Sequence, residues 1–123
     1  MRAVAFGLLL MPALVLGSAA DREIRYLLDG ISHSGCQFER NGTRYEAARA
    51  AEHLEMKYRR ARRYVGNADE FIARIGTQSS FSGRPYNVVC DGAATPSGRW
   101  LSDLLNAYRE DERAKERAPE GAL

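Results

Sequence analysis

The chain has 123 residues, with 18 lysines and arginines against 16 aspartates and glutamates, and a formal net charge of +2 at pH 7. That length holds one domain with one modest core, and a charge so close to neutral excludes the basic excess of a nucleic-acid-binding protein. No set of His, Cys, Asp and Glu stands at metal-binding spacing, so no metal and no cofactor is expected.

The first residues read as an address. Arg2 precedes an apolar run over residues 3–16, and Gly17-Ser18-Ala19-Ala20 follows with small residues where a signal peptidase reads. The run is too short to span a bilayer, which favours a secretory signal peptide over an uncleaved anchor. Cleavage after Ala19 and after Ala20 fit equally well. The expected organisation is a signal peptide over 1–19, a single globular domain over 20–110 and a charged, solvated extension over 111–123. No later stretch is long and apolar enough for a transmembrane helix, and the expected location is the periplasm or the exterior.

In chain order, Ile24, Leu27, Leu28 and Ile31 recur at i, i+3, i+4 and i+7, one face of a helix over 21–34. Residues 36–40 alternate and read as a strand. Asn41-Gly42 is a strong hairpin signal taken alone, but Thr43 and Glu46 form a capping box. The expectation is therefore a corner leading straight into a long helix over 44–65. Its seam is Ala47, Ala51, Leu54, Tyr58, Ala61 and Val65. Gly66 breaks this helix, and Asn67, with Glu70 three residues on, starts a third helix carrying Phe71, Ile72 and Ile75. Residues 81–84 form a turn, and 86–90 a second strand. Thr95-Pro96 is read as the N-cap and first position of a last helix, with Trp100, Leu101, Leu104, Leu105 and Tyr108 buried. The residues show no internal repeat.

Cys36 and Cys90 are an even pair in a chain expected to be exported, which predicts a disulfide rather than two separate thiols. If Cys36 faces Cys90 in an antiparallel register, Phe38 faces Val88 and Arg40 faces Tyr86, so period-two alternation and the bridge agree. The expected fold class is α+β: four helices and a two-stranded antiparallel ribbon, stapled by Cys36–Cys90.

Three surfaces are candidates for function. The register brings the Arg40, Asn41 and Gly42 corner to the turn that holds Ser80, Ser82, Gly83 and Tyr86. His53, at the edge of the buried seam, is the imidazole best placed to serve one of the serines as a base. No GxSxG elbow or SxxK motif accompanies those serines, and hydroxyls at a helix end and a turn are explained by bonding free backbone groups. Lys57, Arg59, Arg60, Arg62 and Arg63 form the densest basic run, which suits a helix C-terminus and could also meet an anionic envelope surface.

The chain resembles the YfeK-like proteins, small exported bacterial proteins grouped as a domain of unknown function. The resemblance runs from Ile24 to Arg109. It rests on Phe38, Arg40-Asn41-Gly42, Ala51, His53, Leu54, Lys57, Phe71-Ile72, the stretch from Ser79 to Tyr86, and Trp100-Leu101. Gly76-Thr77-Gln78 departs from the Ala-x-Lys of that pattern. The resemblance implies a periplasmic address, supplies no catalytic residues and does not bear on the disulfide. The leading expectation is an exported accessory or interaction module without catalytic activity, its partner another periplasmic protein or an envelope component. The alternatives are a small hydrolase using His53 with Ser80 or Ser82, and an anion-binding protein using the basic run from Lys57 to Arg63.

Overall fold

The computed structural model describes residues 18–118; nearly all of the expected signal peptide lies outside them, as does the end of the charged extension. Helix α1 (Ala19–Ser32) is capped by Ser18, whose Oγ accepts from the Asp21 amide at 3.1 Å. It buries Ile24, Leu27, Leu28 and Ile31 as their spacing predicts. Strand β1 (Gln37–Arg40), strand β2 (Thr43–Glu46) and helix α2 (Ala47–Ala61) follow, and a single 3₁₀ turn (Arg62–Tyr64) ends α2. A short helix α3 (Ala68–Phe71) widens into a π turn (Ile72–Gly76). Asn67 Oδ1 caps α3 at the Glu70 amide, and Glu70 Oε1 reaches back to the Gly66 amide. Strand β3 (Asn87–Cys90), strand β4 (Ala93–Pro96) and helix α4 (Ser97–Arg117) complete the chain.

The α+β class and the four helices stand, but the sheet has four strands in the order β2-β1-β3-β4, where a two-stranded ribbon was expected. The reason lies in two turns. Asn41 and Gly42 both have positive φ (50° and 82°), as do Asp91 and Gly92 (51° and 80°). That is the twist-matching geometry of two-residue hairpins. So Asn41-Gly42 closes a hairpin instead of turning a corner, and Thr43 enters a strand instead of capping a helix. Glu46 does not complete a capping box; its carboxylate accepts from Gln37 Nε2 across the strands at 2.9 Å. Helix α2 accordingly starts at Ala47 rather than 44. Helix α4 starts at Ser97, because Thr95 and Pro96 belong to β4.

The central pair behaves as expected. β1 and β3 are antiparallel with Phe38 opposite Val88, and Cys36 and Cys90 are bridged with Cα atoms 4.6 Å apart. Phe38 and Val88 face the helices and are buried with Leu27, Phe71, Leu101 and Leu105 in one core. Full burial of each such side chain is worth about 1.5–3 kcal/mol. Between the helices, Arg109 of α4 grips Glu23 of α1 with two bonds of 2.8 Å and Asp69 of α3 with one of 3.0 Å. The charged extension runs on as the solvated end of α4.

The element order is a repeat: helix, strand, strand, helix, twice. The hairpins correspond at a separation of 50 positions, Gln37 with Asn87, Thr43 with Ala93, Ala47 with Ser97. The first helices correspond at 44: Ile24, Leu27, Leu28 and Ile31 match Ala68, Phe71, Ile72 and Ile75, all buried. Phe38 corresponds to Val88 and also pairs with it, so an approximate two-fold axis passes between β1 and β3 at that pair. The repeat escaped the reading of the residues because few identities survive between the halves. The two separations differ because the halves join helix to strand differently. Four residues separate α1 from β1, and ten separate the π turn from β3. The extra length is the serine turn.

Candidate functional site

Arg40 ends β1 on the helix-facing side of the sheet, two residues beyond Phe38. Its guanidinium lies over the Tyr45 ring, 5.6 Å from the centroid, and its Nη1 is 3.1 Å from His53 Nε2 and 3.3 Å from Nδ1. Arginine only donates, so a ring nitrogen that takes this bond does so through its lone pair, and the contact disfavours the imidazolium form. Burial, then the charges of Arg40 and Lys57, lower the His53 pKa below the ordinary histidine value.

Lys57, one helical turn beyond His53, points inward. Its Nζ donates to the Ile75 carbonyl (3.0 Å), the Gln78 carbonyl (3.1 Å) and Tyr86 Oη (2.9 Å). Two of these acceptors lie where the π turn runs out and lack an onward helix to pair with. Burial, reinforced by Arg40, lowers the Lys57 pKa to about 8. Tyr86 Oη in turn stands 3.4 Å from His53 Nε2, and burial raises its pKa against the opposing pull of Arg40. Three basic side chains thus gather near one phenol, and among the described residues no acidic side chain hydrogen-bonds or ion-pairs with them.

The serine turn closes over this cluster. Gln78 and Pro85 form an isolated bridge, and the Ser79 amide and carbonyl bond Arg84 O and Gly83 N, each at 2.9 Å. The buried Ser79 Oγ accepts from the amides of Phe81 (3.2 Å) and Ser82 (3.3 Å) and from Asn41 Nδ2 (3.3 Å). Ser82 Oγ donates to Asn41 Oδ1 and accepts from the Arg84 amide. Gly83 supplies the left-handed φ of 76° that the turn requires. The tip carries Phe81, 97% exposed.

Two concavities flank Arg40. One is a cavity of about 250 Å³ between the first hairpin and α2, with Phe38, Tyr45, Ala50 and Leu54 as its apolar walls and Arg40 and Ser97 among its polar groups. The other is an open groove that Lys57, Arg60, Ser80 and Phe81 border.

The structure therefore joins Arg40, Asn41, Ser82, Gly83 and Tyr86 at one end of the ribbon, with Gly42 in the adjoining hairpin turn, and it adds His53 and Lys57 to them. It does not join a serine to the imidazole by a hydrogen bond. Ser79 and Ser82 spend their hydroxyls on the turn and on Asn41, exposed Ser80 bonds nothing among the described residues, and His53 is held by Arg40 and Tyr86. The basic run disperses. Arg59 pairs with Glu55 at 3.5 Å, Arg62 with Asp21 at 3.8 Å, and Arg63 lies over Tyr64, while Arg60 borders the groove. His33 sits apart, its Nδ1 at the Asp29 carbonyl. The inward role of Lys57 was grouped with the surface run. Its place one turn from His53 and beside the seam residues Leu54 and Tyr58 was the available signal. Among the described residues no group of His, Cys, Asp and Glu could hold a metal ion, and no helix is long and apolar enough to cross a membrane.

Comparison with known proteins places residues 18–109 within the Family of unknown function (DUF5329). The chain belongs to this family. It is 35% identical over 49 residues to the uncharacterized protein YfeK of Salmonella typhimurium, a match that covers 40% of this chain and 41% of that protein. No solved structure matches it. The DUF5329 match takes in both halves of the repeat and the whole polar end of the ribbon.

Proposed function

We propose that this DUF5329 protein is an exported, periplasmic accessory module without catalytic activity, and that it recognises a partner protein through the end of the ribbon built by Arg40–Gly42 and the serine turn. The observation that carries the reading is Phe81. An aromatic side chain 97% exposed sits on a turn whose backbone is fixed by hydrogen bonds from Ser79, Ser82 and Asn41. A rigidly presented aromatic side chain beside a groove bearing Lys57 and Arg60 suits an interface anchor. The cationic border suits a partner with an acidic group at that point. A hydrolase reading lacks the serine–imidazole contact that activation needs. An envelope-binding reading lacks a single basic patch, since the run from Lys57 to Arg63 splits among internal and surface partners.

The test is a photo-crosslinking phenylalanine analogue at Phe81 in the full chain expressed in its host, with the same probe at exposed Ala94 as the control. A discrete adduct from position 81 that is absent from position 94 is expected, and it should fade when Arg60→Glu is added. No adduct at 81, or the same adducts from both positions, overturns the surface. N-terminal sequencing of the chain recovered from the periplasm tests export: a start at Ala20 or Asp21 is expected, and an intact leader in the cytosol contradicts it.

A further inference from the structure

Several exposed arginines of this chain pair with a carboxylate: Arg25 and Arg59 with Glu55, Arg44 with Glu39, Arg62 with Asp21. Arg49 and Arg60 are exposed and make no hydrogen bond or ion pair among the described residues. Arg74, Arg84 and Arg99 have no such partner either, but they line neither concavity beside Arg40. Arg49 lines the cavity and Arg60 the groove, and the two spaces share Arg40, His53 and Tyr86. Along α2, Arg49, His53, Lys57 and Arg60 recur at steps of four, four and three, one stripe of the helix. The cavity and the groove therefore follow each other along a single cationic stripe. Its inner charges meet no carboxylate: Arg40 bonds His53, and Lys57 bonds two carbonyls and a phenol. The acidic residue at the lining, Glu39, is engaged by Arg44 at 3.7 Å and Asn87 at 3.5 Å.

We propose that this stripe receives an extended acidic segment of the partner protein, two of its carboxylates, about five residues apart, meeting Arg49 and Arg60. The proposal rests on the partner surface argued above and names what the partner presents to it. Eleven positions of α2 separate the two arginines, a rise of about 16 Å at ~1.5 Å per residue. An extended chain covers that distance in about five residues at ~3.3 Å each. Both guanidinium groups are unengaged, and a guanidinium matches a carboxylate in shape and charge. Lys57 has its three hydrogens committed inside the fold, so it contributes field and no bond. Tyr45 in the cavity and Met56 and Phe81 in the groove offer apolar contacts to the side chains between the acids. A small anion reaches one arginine and leaves the other unpaired. A bilayer surface is flat and meets the rim of a concave lining, not its length.

The experiment is an amide NMR titration of the oxidised full-length mature chain with a capped hexapeptide that has glutamate at both ends and Ser-Val-Thr-Val between. The comparison probes are the same peptide with glutamine at both ends, one of the same composition with its two glutamates adjacent, inorganic phosphate, and phosphatidylglycerol vesicles. The first peptide should give saturable shifts at Arg49, His53, Arg60 and Phe81 on one binding curve. The glutamine peptide should bind about tenfold or more weakly and the adjacent-glutamate peptide about threefold or more weakly, since an exposed ion pair is worth up to about 1 kcal/mol. Arg49→Glu and Arg60→Glu should each weaken the first peptide by about fivefold. Neither arginine bonds the fold, so urea midpoints should stay where they are. Arg99→Glu, at the position equivalent to 49 in the second half, should bind like the parent. No saturable binding, equal binding by either altered peptide, an equal loss in Arg99→Glu, or the same shifts at Arg49 and Arg60 from phosphate or vesicles would each overturn the proposal. A Phe81 adduct in cells without peptide binding contradicts the acidic segment alone, and peptide binding without that adduct contradicts the partner surface alone.

Discussion

The two ends of the central ribbon occupy equivalent places in the repeat and carry opposite solutions. Cys36 corresponds to Tyr86 and Cys90 to Arg40, so the pair that is a disulfide at one end is an arginine facing a tyrosine at the other. Around the sulfur the structure is closed and covalent. Around Arg40 it gathers three basic side chains, a phenol with raised pKa and a hydrogen-bonded turn that the first half lacks. Half-buried cations destabilise a fold, and that cost sits beside the longest irregular connection in the domain. A covalent tie at the far end lets the polar end keep them, because both strands stay in register whatever happens around Arg40.

Removing the tie is the strongest way to break the comparison. The bridge closes a loop with a sequence separation of 54, and the chain-entropy model gives roughly 4 kcal/mol for that length. Cys36→Ala with Cys90→Ala should therefore lower the unfolding free energy by up to about 4 kcal/mol in urea melts. Lys57 should still titrate near 8 in the folded variant. A loss under about 1 kcal/mol would mean that the bridge does not offset the cost of the polar end, and a Lys57 pKa returned to the ordinary lysine range would mean that the polar end needs the bridge for its local structure as well as for stability.

Lys57→Met attacks the other end. It leaves the Ile75 and Gln78 carbonyls without their donor, a loss of about 1–3 kcal/mol. It also changes the pH dependence. The folded pKa of Lys57 is about 8, below its ordinary 10.5, so between those values the unfolded chain holds more protons than the native one. Stability from this group therefore rises as pH increases from about 8 toward 10.5, and its full penalty is present below 8. Urea midpoints at pH 7.5 and 10 should show that rise in the parent relative to Lys57→Met. A parallel pH response in both proteins would remove Lys57 from the account.

How much of this was readable in advance depends on the physical signal each feature leaves. The helices were legible because Ile24, Leu27, Leu28 and Ile31, like Phe71, Ile72 and Ile75, carry helical spacing whatever surrounds them. The ribbon register was legible because period two and the cysteine pair agree, and that register alone put Arg40 beside Tyr86. Strands β2 and β4 were not, because each is four residues long and largely exposed. Thr43–Glu46 and Thr95-Pro96 also imitate helix starts. The Asn-Gly dipeptide spoke for a hairpin and was outweighed by a capping box that tertiary pairing then dissolved. The union of Asn41 with Ser79 and Ser82, and the grip of Arg109 on Glu23 and Asp69, join residues 38 to 86 positions apart and leave no local trace.

A second staple sharpens the symmetry argument. Continuing the β1–β3 register by one residue sets Arg40 opposite Tyr86, the same side of the ladder as Cys36 and Cys90. Arg40→Cys with Tyr86→Cys should therefore oxidise to a second disulfide, read as a mass loss of two hydrogens and one additional bridged peptide. The covalent gain is offset by the lost contacts of Arg40 and Tyr86, so the net change in stability should stay within about 1 kcal/mol. Free thiols at 40 and 86 under oxidising conditions would show that the two ends are not equivalent.

The smallest effect belongs to Asn41→Asp, which copies Asp91 from the corresponding hairpin. Both positions hold φ near 50°, and Asp tolerates that region, so the hairpin should survive. What the substitution removes is the Nδ2 donor to Ser79 Oγ, while an oxygen remains to accept from Ser82. Global stability should fall by less than about 1 kcal/mol, the scale of one neutral hydrogen bond. Amide exchange should nevertheless accelerate across residues 79–84 and not at Asp91 or Gly92. That pattern would separate the two jobs a single side chain does here: the turn conformation, which both halves share, and the anchoring of the serine turn, which only the polar end requires. If exchange over 79–84 is unchanged, the turn is held by its own Ser79 bonds, and the hairpin corner contributes proximity without restraint.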